Sequence, residues 1–293
     1  MQRVNQLAYY VMRGRYQAIG VGLLFSVLPL FSWVANVIVG LITLRQGAKE
    51  GLIILLWVML PSVIVASTTS PTLWLYSIVG HYWLSYGLAL LLRRGASWSL
   101  VLEALLILGL LVVTSAHLMW PNLTTIWLQQ LNQQLAWLKT QSHLNLTDGH
   151  LVFFARMITG FQVALLFLGG LWNLLVARWL QAALYNPGQL YPELRKIRLS
   201  LSASIIMMGC VVASFLNVGI AWDGLPIVAL LGGLAGFSLL CVIAHHVKIG
   251  RFRRVLFYVS LLFFFPYVVW CLVVLAWIDS ILNLRTRFEN LSL

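Results

Sequence analysis

Long apolar runs separated by short charged turns are the feature that most constrains what this chain can fold into. Nine runs can be traced, over residues 18–33, 34–44, 51–67, 72–92, 97–119, 150–184, 201–220, 226–245 and 255–277. A membrane-spanning helix needs about 20 predominantly apolar residues, and most of the runs come close to that length. The sequence therefore predicts an all-α, polytopic bundle of transmembrane helices with about eight or nine membrane segments.

The composition leaves little room for a soluble part. Only 9% of the residues are charged and 61% are hydrophobic, whereas soluble domains carry about 25% charged residues. No interval between apolar runs exceeds about 35 residues, which is too short for an independent domain of about 50 residues or more. The net charge of +12 lies in short loops rather than along one face of a soluble domain. We therefore expect the lipid bilayer as a partner and no nucleic acid.

Enzyme signatures are missing from the sequence. It contains no nucleotide-binding, zinc-protease or serine-nucleophile motif, and its acidic residues form no close pair. Cys210, Cys241 and Cys271 lie inside apolar runs and lack the spacing of metal ligands. The sequence therefore predicts a protein that is not an enzyme and that holds no cofactor or metal.

The lysines and arginines predict an orientation. If the N-terminus is cytoplasmic, the loops around Arg45, Arg93, residues 178–198 and residues 248–254 all fall inside, and they hold most of the 19 basic residues. The remaining loops are nearly uncharged, or acidic like the one expected around Asp223. This asymmetry follows the positive-inside rule. We therefore expect a multi-pass membrane protein whose N-terminus is cytoplasmic.

The first two apolar runs are unusually short. Residues 18–44 would have to leave and re-enter the cytoplasm, although two full spans need about 40 residues. The sequence predicts a short, tilted or re-entrant pair that turns near Pro29 and Ser32, with Gly47 and Gly51 allowing a tight reversal into the next helix. The alternative is one long helix with Arg45 outside, which reverses only the N-terminal tail.

Two segments between the apolar runs have a recognisable character. In residues 122–143, Trp127, Leu131 and Leu135 recur at helical spacing while glutamines fill the other faces, which predicts an external amphipathic helix. It would lie on the outer membrane surface or cover the bundle. Residues 186–199 are rich in proline and charge and predict a cytoplasmic linker, followed by three further membrane segments in residues 200–293.

Several of these features together resemble a known family. They are the folded-back pair, the turn L-R-Q-G-A-K-E-G-L at residues 44–52, the long sixth helix and the closing W-I-D-S-I-L-N-L-R at residues 277–285. The chain is similar, over residues 18–285, to the YybS-like (DUF2232) family of predicted bacterial membrane proteins. That family is thought to be distantly related to the substrate-binding S components of energy-coupling-factor vitamin transporters and to the cell-shape protein MreD.

The resemblance implies a location in a bacterial cytoplasmic (inner) membrane, an architecture and two kinds of partner. Residues 1–185 would form an S-component-like six-helix unit. S components contact their coupling subunit through an A-x-x-x-A pattern on the first helix, and here Ala18 and Gly22 occupy the two positions, with glycine in place of the second alanine. The partner would be a coupling subunit or, by the kinship with MreD, a scaffold complex.

Polar residues at membrane depth are the candidates for a site, because they are costly there and often functional. In the predicted orientation six of them fall in the outer half, namely Tyr76, His81, Tyr82, His117, Arg156 and Gln162. They would line a pocket for a small polar or anionic ligand that enters from the extracytoplasmic side, with Arg156 as counter-ion. Alternatively, Arg156 and Arg178 simply flank a spanning core, the histidines bond to backbone carbonyls and the tyrosines form an interfacial belt.

Two further polar residues lie inside the predicted spans. Glu103 would serve a coupled proton or cation, or be a structural carboxylate. Asn173 is 11 residues after Gln162, so the two share a helical face and are expected to hydrogen-bond to other helices.

The expected function is therefore ligand binding that assists uptake. The alternative is a non-transporting scaffold whose small-residue stripes, such as Gly232, Gly233 and Gly236, pack against partner helices.

Overall fold

A computed structural model describes residues 2–69, 73–141, 148–246 and 265–285. Within these ranges every regular element is a helix. The helices are α1 (Gln2–Met12), α2 (Arg15–Val27), α3 (Ser32–Arg45), α4 (Ala48–Thr69), α5 (Leu73–Arg93), α6 (Trp98–Met119), α7 (Leu123–Gln141), α8 (Asp148–Ala155), α9 (Ile158–Tyr185), α10 (Leu190–Arg195), α11 (Leu201–Phe215), α12 (Gly219–His246) and α13 (Phe265–Leu282). The predicted all-α bundle is confirmed for the described part of the chain.

Three helices are long and apolar enough to cross a membrane, by length and composition alone. They cover Trp98–Met119, Ile158–Tyr185 and Gly219–Ala244. Three shorter apolar helices cover Ser32–Arg45, Leu201–Phe215 and Tyr267–Leu282. The chain is therefore a membrane-associated protein, and the larger number of membrane segments stays a prediction.

The chain divides into two compact units. Unit 1 comprises Met1–Val101 and Leu166–Lys196, and unit 2 comprises Leu102–Leu165 and Ile197–Leu293. Neither unit is continuous in sequence, because the chain leaves unit 1 after Val101 and returns to it at Leu166. The arrangement of six membrane segments, a linker and three further segments stays a prediction.

The short helix α3 is the buried centre of unit 1. All residues from Ala35 to Leu44 are buried, and α3 packs against α2, α4 and α5. With 14 residues it is about 21 Å long, which is shorter than the hydrocarbon core of a bilayer. The predicted turn near Pro29 and Ser32 is present as a single 3₁₀ turn at Pro29–Phe31. A helix this short is suited to membrane depth because other helices surround it.

The predicted tight reversal after α3 is also present. Gly47 has a φ of 124°, which an L side chain rarely adopts. Arg93, at the end of α5, donates from Nη1 to the carbonyl oxygens of Thr43 and Leu44 at 3.0 and 3.1 Å. The last turn of α3 is thereby capped by a guanidinium, which satisfies carbonyls that the helix itself leaves open.

In unit 2, α12 and α13 pack closely against each other. A Cβ atom on Gly236 would collide with the Leu272 carbonyl, while Arg285, beyond the end of α13, donates to the Ser238 hydroxyl at 3.3 Å. Arg198, just before α11, donates to the Ser280 carbonyl at 2.9 Å. The C-terminal end of α13 therefore lies at the end of unit 2 where α11 begins.

Two predicted boundaries were wrong. The sixth apolar run is broken into α8 and α9 at Arg156 and Met157. The acidic external loop expected around Asp223 does not exist, because α12 begins at Gly219 and Asp223 is one of its buried residues. The boundary was predicted at Pro226 because proline is favoured at the first position of a helix. In the structure Pro226 lies two turns inside α12.

The predicted amphipathic helix is present as α7. Its glutamines Gln129, Gln130, Gln133 and Gln134 are exposed, while Trp127 and Leu131 are half-buried. Its position outside the membrane stays a prediction.

Candidate functional site

A buried hydrogen-bonded pair of a histidine and an aspartate is the centre of the candidate site in unit 2. His117, near the end of α6, places Nε2 2.9 Å from Oδ2 of Asp223 in the first turns of α12. The side chains are 13% and 4% exposed. The backbone N–H of Gly160 donates to the other carboxylate oxygen, Oδ1, at 2.8 Å. Three helices thus meet at one carboxylate, and both of its oxygens are hydrogen-bonded.

The start of α9 offers the Asp223 carboxylate a hydrogen-bond donor and a favourable helix dipole. Gly160 is the third residue of α9, and the first four N–H groups of a helix have no partner within it. The positive end of the helix dipole also favours a negative charge at this position. A Cβ atom on Gly160 would overlap the backbone carbonyl of Asp223, so only glycine permits this approach.

The amphipathic helix α7 is hydrogen-bonded to α9 next to the pair of His117 and Asp223. Trp127 donates from Nε1 to the Thr159 hydroxyl at 3.0 Å, and Thr159 is the residue before Gly160. Because Thr159 is buried in the first turn of α9, this bond holds α7 next to the helix end that receives Asp223. This hydrogen bond supports the interpretation of α7 as a cover for the polar residues.

Arg156 places a positive charge near the same end of α12. Its guanidinium lies 6.0 Å from the ring centroid of Trp222, and Phe153 packs edge-on against that ring at 5.6 Å. Trp222 directly precedes Asp223 in α12. In the described ranges no carboxylate forms an ion pair with Arg156. An arginine on an aromatic face can accept an anion while keeping its stacking contact.

Other predicted site residues form a separate polar cluster in unit 1. Asn173 in α9 donates from Nδ2 to Nε2 of His81 at 3.1 Å and to the Ser85 hydroxyl at 3.2 Å. Asn173 is only 1% exposed, and its Oδ1 has no hydrogen-bond partner among the described residues. Tyr82 shares a hydrogen bond of 3.3 Å with Ser62. The expectation that Asn173 bonds to another helix is confirmed.

Two predicted site residues, Tyr76 and Gln162, remain. Tyr76 lies in α5, but its side chain is outside the described part of the structure. Gln162 is exposed, unlike Asn173 on the same helix face.

Glu103 acts as a helix cap. One of its carboxylate oxygens accepts the backbone N–H of Ser200, the N-cap residue of α11, at 3.1 Å. Of the two interpretations drawn from the sequence, the structural carboxylate accounts for this geometry.

The small residues proposed as partner contacts are used inside the chain. Ala18 and Gly22 are buried in unit 1, where Gly22 faces Val58 of α4. In unit 2, Gly232 and Gly236 face α13. These positions pack the helices of this protein against one another, so a partner would have to bind elsewhere or displace them.

Three residues of the site, Asp223, Gly160 and Trp222, were not predicted from the sequence. A usable signal existed, because Asp223 is one of only seven acidic residues and lies next to a long apolar run. Asp223 was not considered as a site residue because it was placed in an external loop.

Neither of two cavities in unit 1, of about 410 and 460 Å³, is lined by a predicted ligand-binding residue. The part of the chain that the structure describes holds no group of three histidine, cysteine or acidic side chains that could bind a metal.

Comparison of the chain with protein-family models, with curated proteins and with solved structures finds no match.

Proposed function

We propose that this chain is a multi-pass protein of a bacterial cytoplasmic membrane that binds a small polar or anionic ligand from the extracytoplasmic side and assists its uptake. It would do so in the manner of an S component and without enzymatic activity of its own. The observation that carries the proposal is the buried pair of His117 and Asp223 at the ends of two long apolar helices. Ionisable residues in such surroundings are costly and commonly mark ligand or proton sites.

The orientation expected from the basic loops agrees with this site. It places the end of α6 and the starts of α9 and α12 on the extracytoplasmic side. These are the three helix ends that meet at His117, Gly160 and Asp223. The same orientation places Glu103 and Ser200, which are hydrogen-bonded to each other, on the cytoplasmic side. These separate contacts support the expected order of crossings for α6, α9, α11 and α12.

The chemistry of the site suits an anionic or polar ligand. Arg156 supplies a positive charge and Trp222 an aromatic face. His117 and Asp223 hold each other in place beside these two groups. The helix α7, tied down through Trp127, would act as the cover that opens for the ligand.

A second candidate function is a non-transporting scaffold that recruits membrane partners. It is favoured by one observation: the polar side chains at membrane depth bond to one another, as His81 and Ser85 do with Asn173. Side chains paired in this way hold a bundle together without a ligand. The YybS-like kinship remains a proposal that fits either function.

A thermal-shift screen separates the two. The purified full chain in detergent is heated with carboxylates, phosphate esters and uncharged polar metabolites, alongside Arg156→Gln and the control Arg45→Gln. Arg45 also stacks on an aromatic ring, that of Tyr185 at 4.2 Å, but in unit 1. We expect at least one compound to raise the melting temperature of the wild type and of Arg45→Gln but not of Arg156→Gln. If no compound stabilises the wild type while defined membrane proteins co-purify with it, the scaffold is the better account.

A further inference from the structure

A charged cavity in unit 1 has no part in the site described above. It has a volume of about 410 Å³ and lies among the end of α3, the turn between α5 and α6, the end of α9 and the helix α10. Its charged lining residues are Arg93, Arg178, Glu193 and Lys196. Three positive charges against one negative charge leave the cavity with an excess of two positive charges.

Arg178 and Glu193 neutralise each other. The Arg178 guanidinium donates from Nε to one oxygen of Glu193 at 3.1 Å and from Nη2 to the other. Burial on its own would raise the pKa of Glu193, but the hydrogen bond and charge of Arg178, with smaller effects of Trp98 and Lys196, lower the pKa overall. Glu193 is therefore a stable anion, and Arg93 and Lys196 are the cations left for a ligand.

The helix ends that border the cavity carry both signs, so its excess of positive charge comes from the side chains. The first turn of α6 borders it at Ser97 and Trp98, which places the positive end of a 22-residue helix there. The negative end of α3 also borders it, at Leu44, but Arg93 covers the carbonyls of Thr43 and Leu44. The last carbonyls of α5 are used by backbone N–H groups of the following turn, including that of Gly95.

We propose that this cavity binds a phosphate group, either in the headgroup of an anionic lipid or as a free phosphate. Arg93 and Lys196 would supply the positive charge and the hydrogen-bond donors for the phosphate oxygens. In the orientation expected from the basic loops the cavity lies at the cytoplasmic membrane surface, where anionic headgroups are abundant. The site does not depend on the ligand proposed for unit 2.

Calorimetric titration of the full chain in a neutral detergent tests the proposal. The probes are inorganic phosphate, dihexanoyl phosphatidylglycerol and, as a lipid of zero net charge, dihexanoyl phosphatidylcholine. The variants are Lys196→Gln and the control Arg94→Gln. Both residues are exposed and basic, but Arg94 does not line the cavity. Loss of one positive charge from the site should weaken binding about fivefold.

The expected result is saturable binding that Lys196→Gln weakens, that Arg94→Gln leaves unchanged and that Lys196→Arg restores. Binding of phosphatidylglycerol but not of inorganic phosphate identifies a lipid headgroup as the source. Binding of inorganic phosphate with no preference for the lipid identifies a free phosphate. The proposal is overturned if neither probe binds saturably, or if both glutamine variants weaken binding equally, because the attraction is then a property of the whole basic surface.

Discussion

Asp223 in unit 2 and Glu193 in unit 1 are two paired carboxylates with opposite surroundings. Asp223 is bonded by His117 and by a backbone N–H, and its side chain is 4% exposed. Glu193 is bonded by Arg178 and Trp98, and its side chain is 28% exposed. We therefore expect burial, rather than the number of hydrogen bonds, to decide how much each pair contributes to the free energy of unfolding. Removing one partner of a buried pair leaves an uncompensated charge, whereas water replaces the missing partner of an exposed pair.

The largest effect is expected from His117→Ala. The change leaves the buried carboxylate of Asp223 without its imidazole neighbour, and we expect a loss of about 3 kcal/mol in the free energy of unfolding. Reversible unfolding in mixed detergent micelles at neutral pH measures it. His117→Gln, whose amide can still donate to Asp223, should lose clearly less. A loss below about 1 kcal/mol for His117→Ala would show that Asp223 is hydrated and that the contrast with Glu193 is wrong.

The second effect is steric and concerns Gly160. A methyl group at this position would overlap the backbone of α12, so Gly160→Ala should cost about 1–3 kcal/mol in unfolding free energy. Gly209→Ala is the matched control, because Gly209 lies in the interior of α11 with nothing within 4 Å of its added Cβ. It should stabilise the protein by about 0.5–1 kcal/mol. Equal effects of the two variants would mean that α9 and α12 do not meet as closely as described.

The third and smallest effect at neutral pH is expected from Glu193→Gln. The pair with Arg178 is partly exposed and screened by solvent, so we expect a loss below about 1 kcal/mol in the same unfolding measurement. A loss as large as that of His117→Ala would mean that the exposed pair in unit 1 contributes as much to the free energy of unfolding as the buried pair in unit 2.

The stability of Glu193→Gln as a function of pH tests the pairing of Glu193 separately. The pKa of Glu193 is lowered from its ordinary value of 4.5, because the effect of Arg178 outweighs that of burial. A lowered pKa means that the pair adds stability above the unfolded-state value and loses it as the pH falls through the folded-state value. The unfolding curves of the wild type and Glu193→Gln should therefore differ at pH 7 and converge in acid. A difference that grows with acidification would contradict the assigned pairing.

The sequence predicted the elements of this fold better than their contacts. Apolar runs and breakers placed the turn at Pro29–Phe31 and the amphipathic helix α7 correctly, because these depend on local spacing and on proline and glycine. The break at Arg156 was missed, since nothing in the apolar run containing it marks a helix end. Asp223 was misplaced because Pro226 is an equally good residue for a helix start.

The candidate site was only partly predictable for a related reason. Residue type alone singled out His117, Arg156 and Asn173, because polar groups are rare in apolar runs. Their partners come from other helices, 106 residues away for His117 and Asp223. Only tertiary packing brings such residues together, and no local pattern encodes it. Gly160 contributes a backbone N–H, which the residue type does not reveal.

The most direct test of the account is whether water reaches the polar residues of unit 2 from outside. Arg156→Cys, in a chain whose three cysteines are replaced by alanine, is treated in right-side-out vesicles with a membrane-impermeant maleimide. Asn122→Cys, exposed between α6 and α7, is the positive control. Ligand binding from the extracytoplasmic side predicts that the Arg156→Cys thiol reacts, because maleimides need a hydrated thiolate. If Asn122→Cys reacts and Arg156→Cys does not, position 156 faces lipid or a dry interior, and the proposal of an outward-facing ligand site is contradicted.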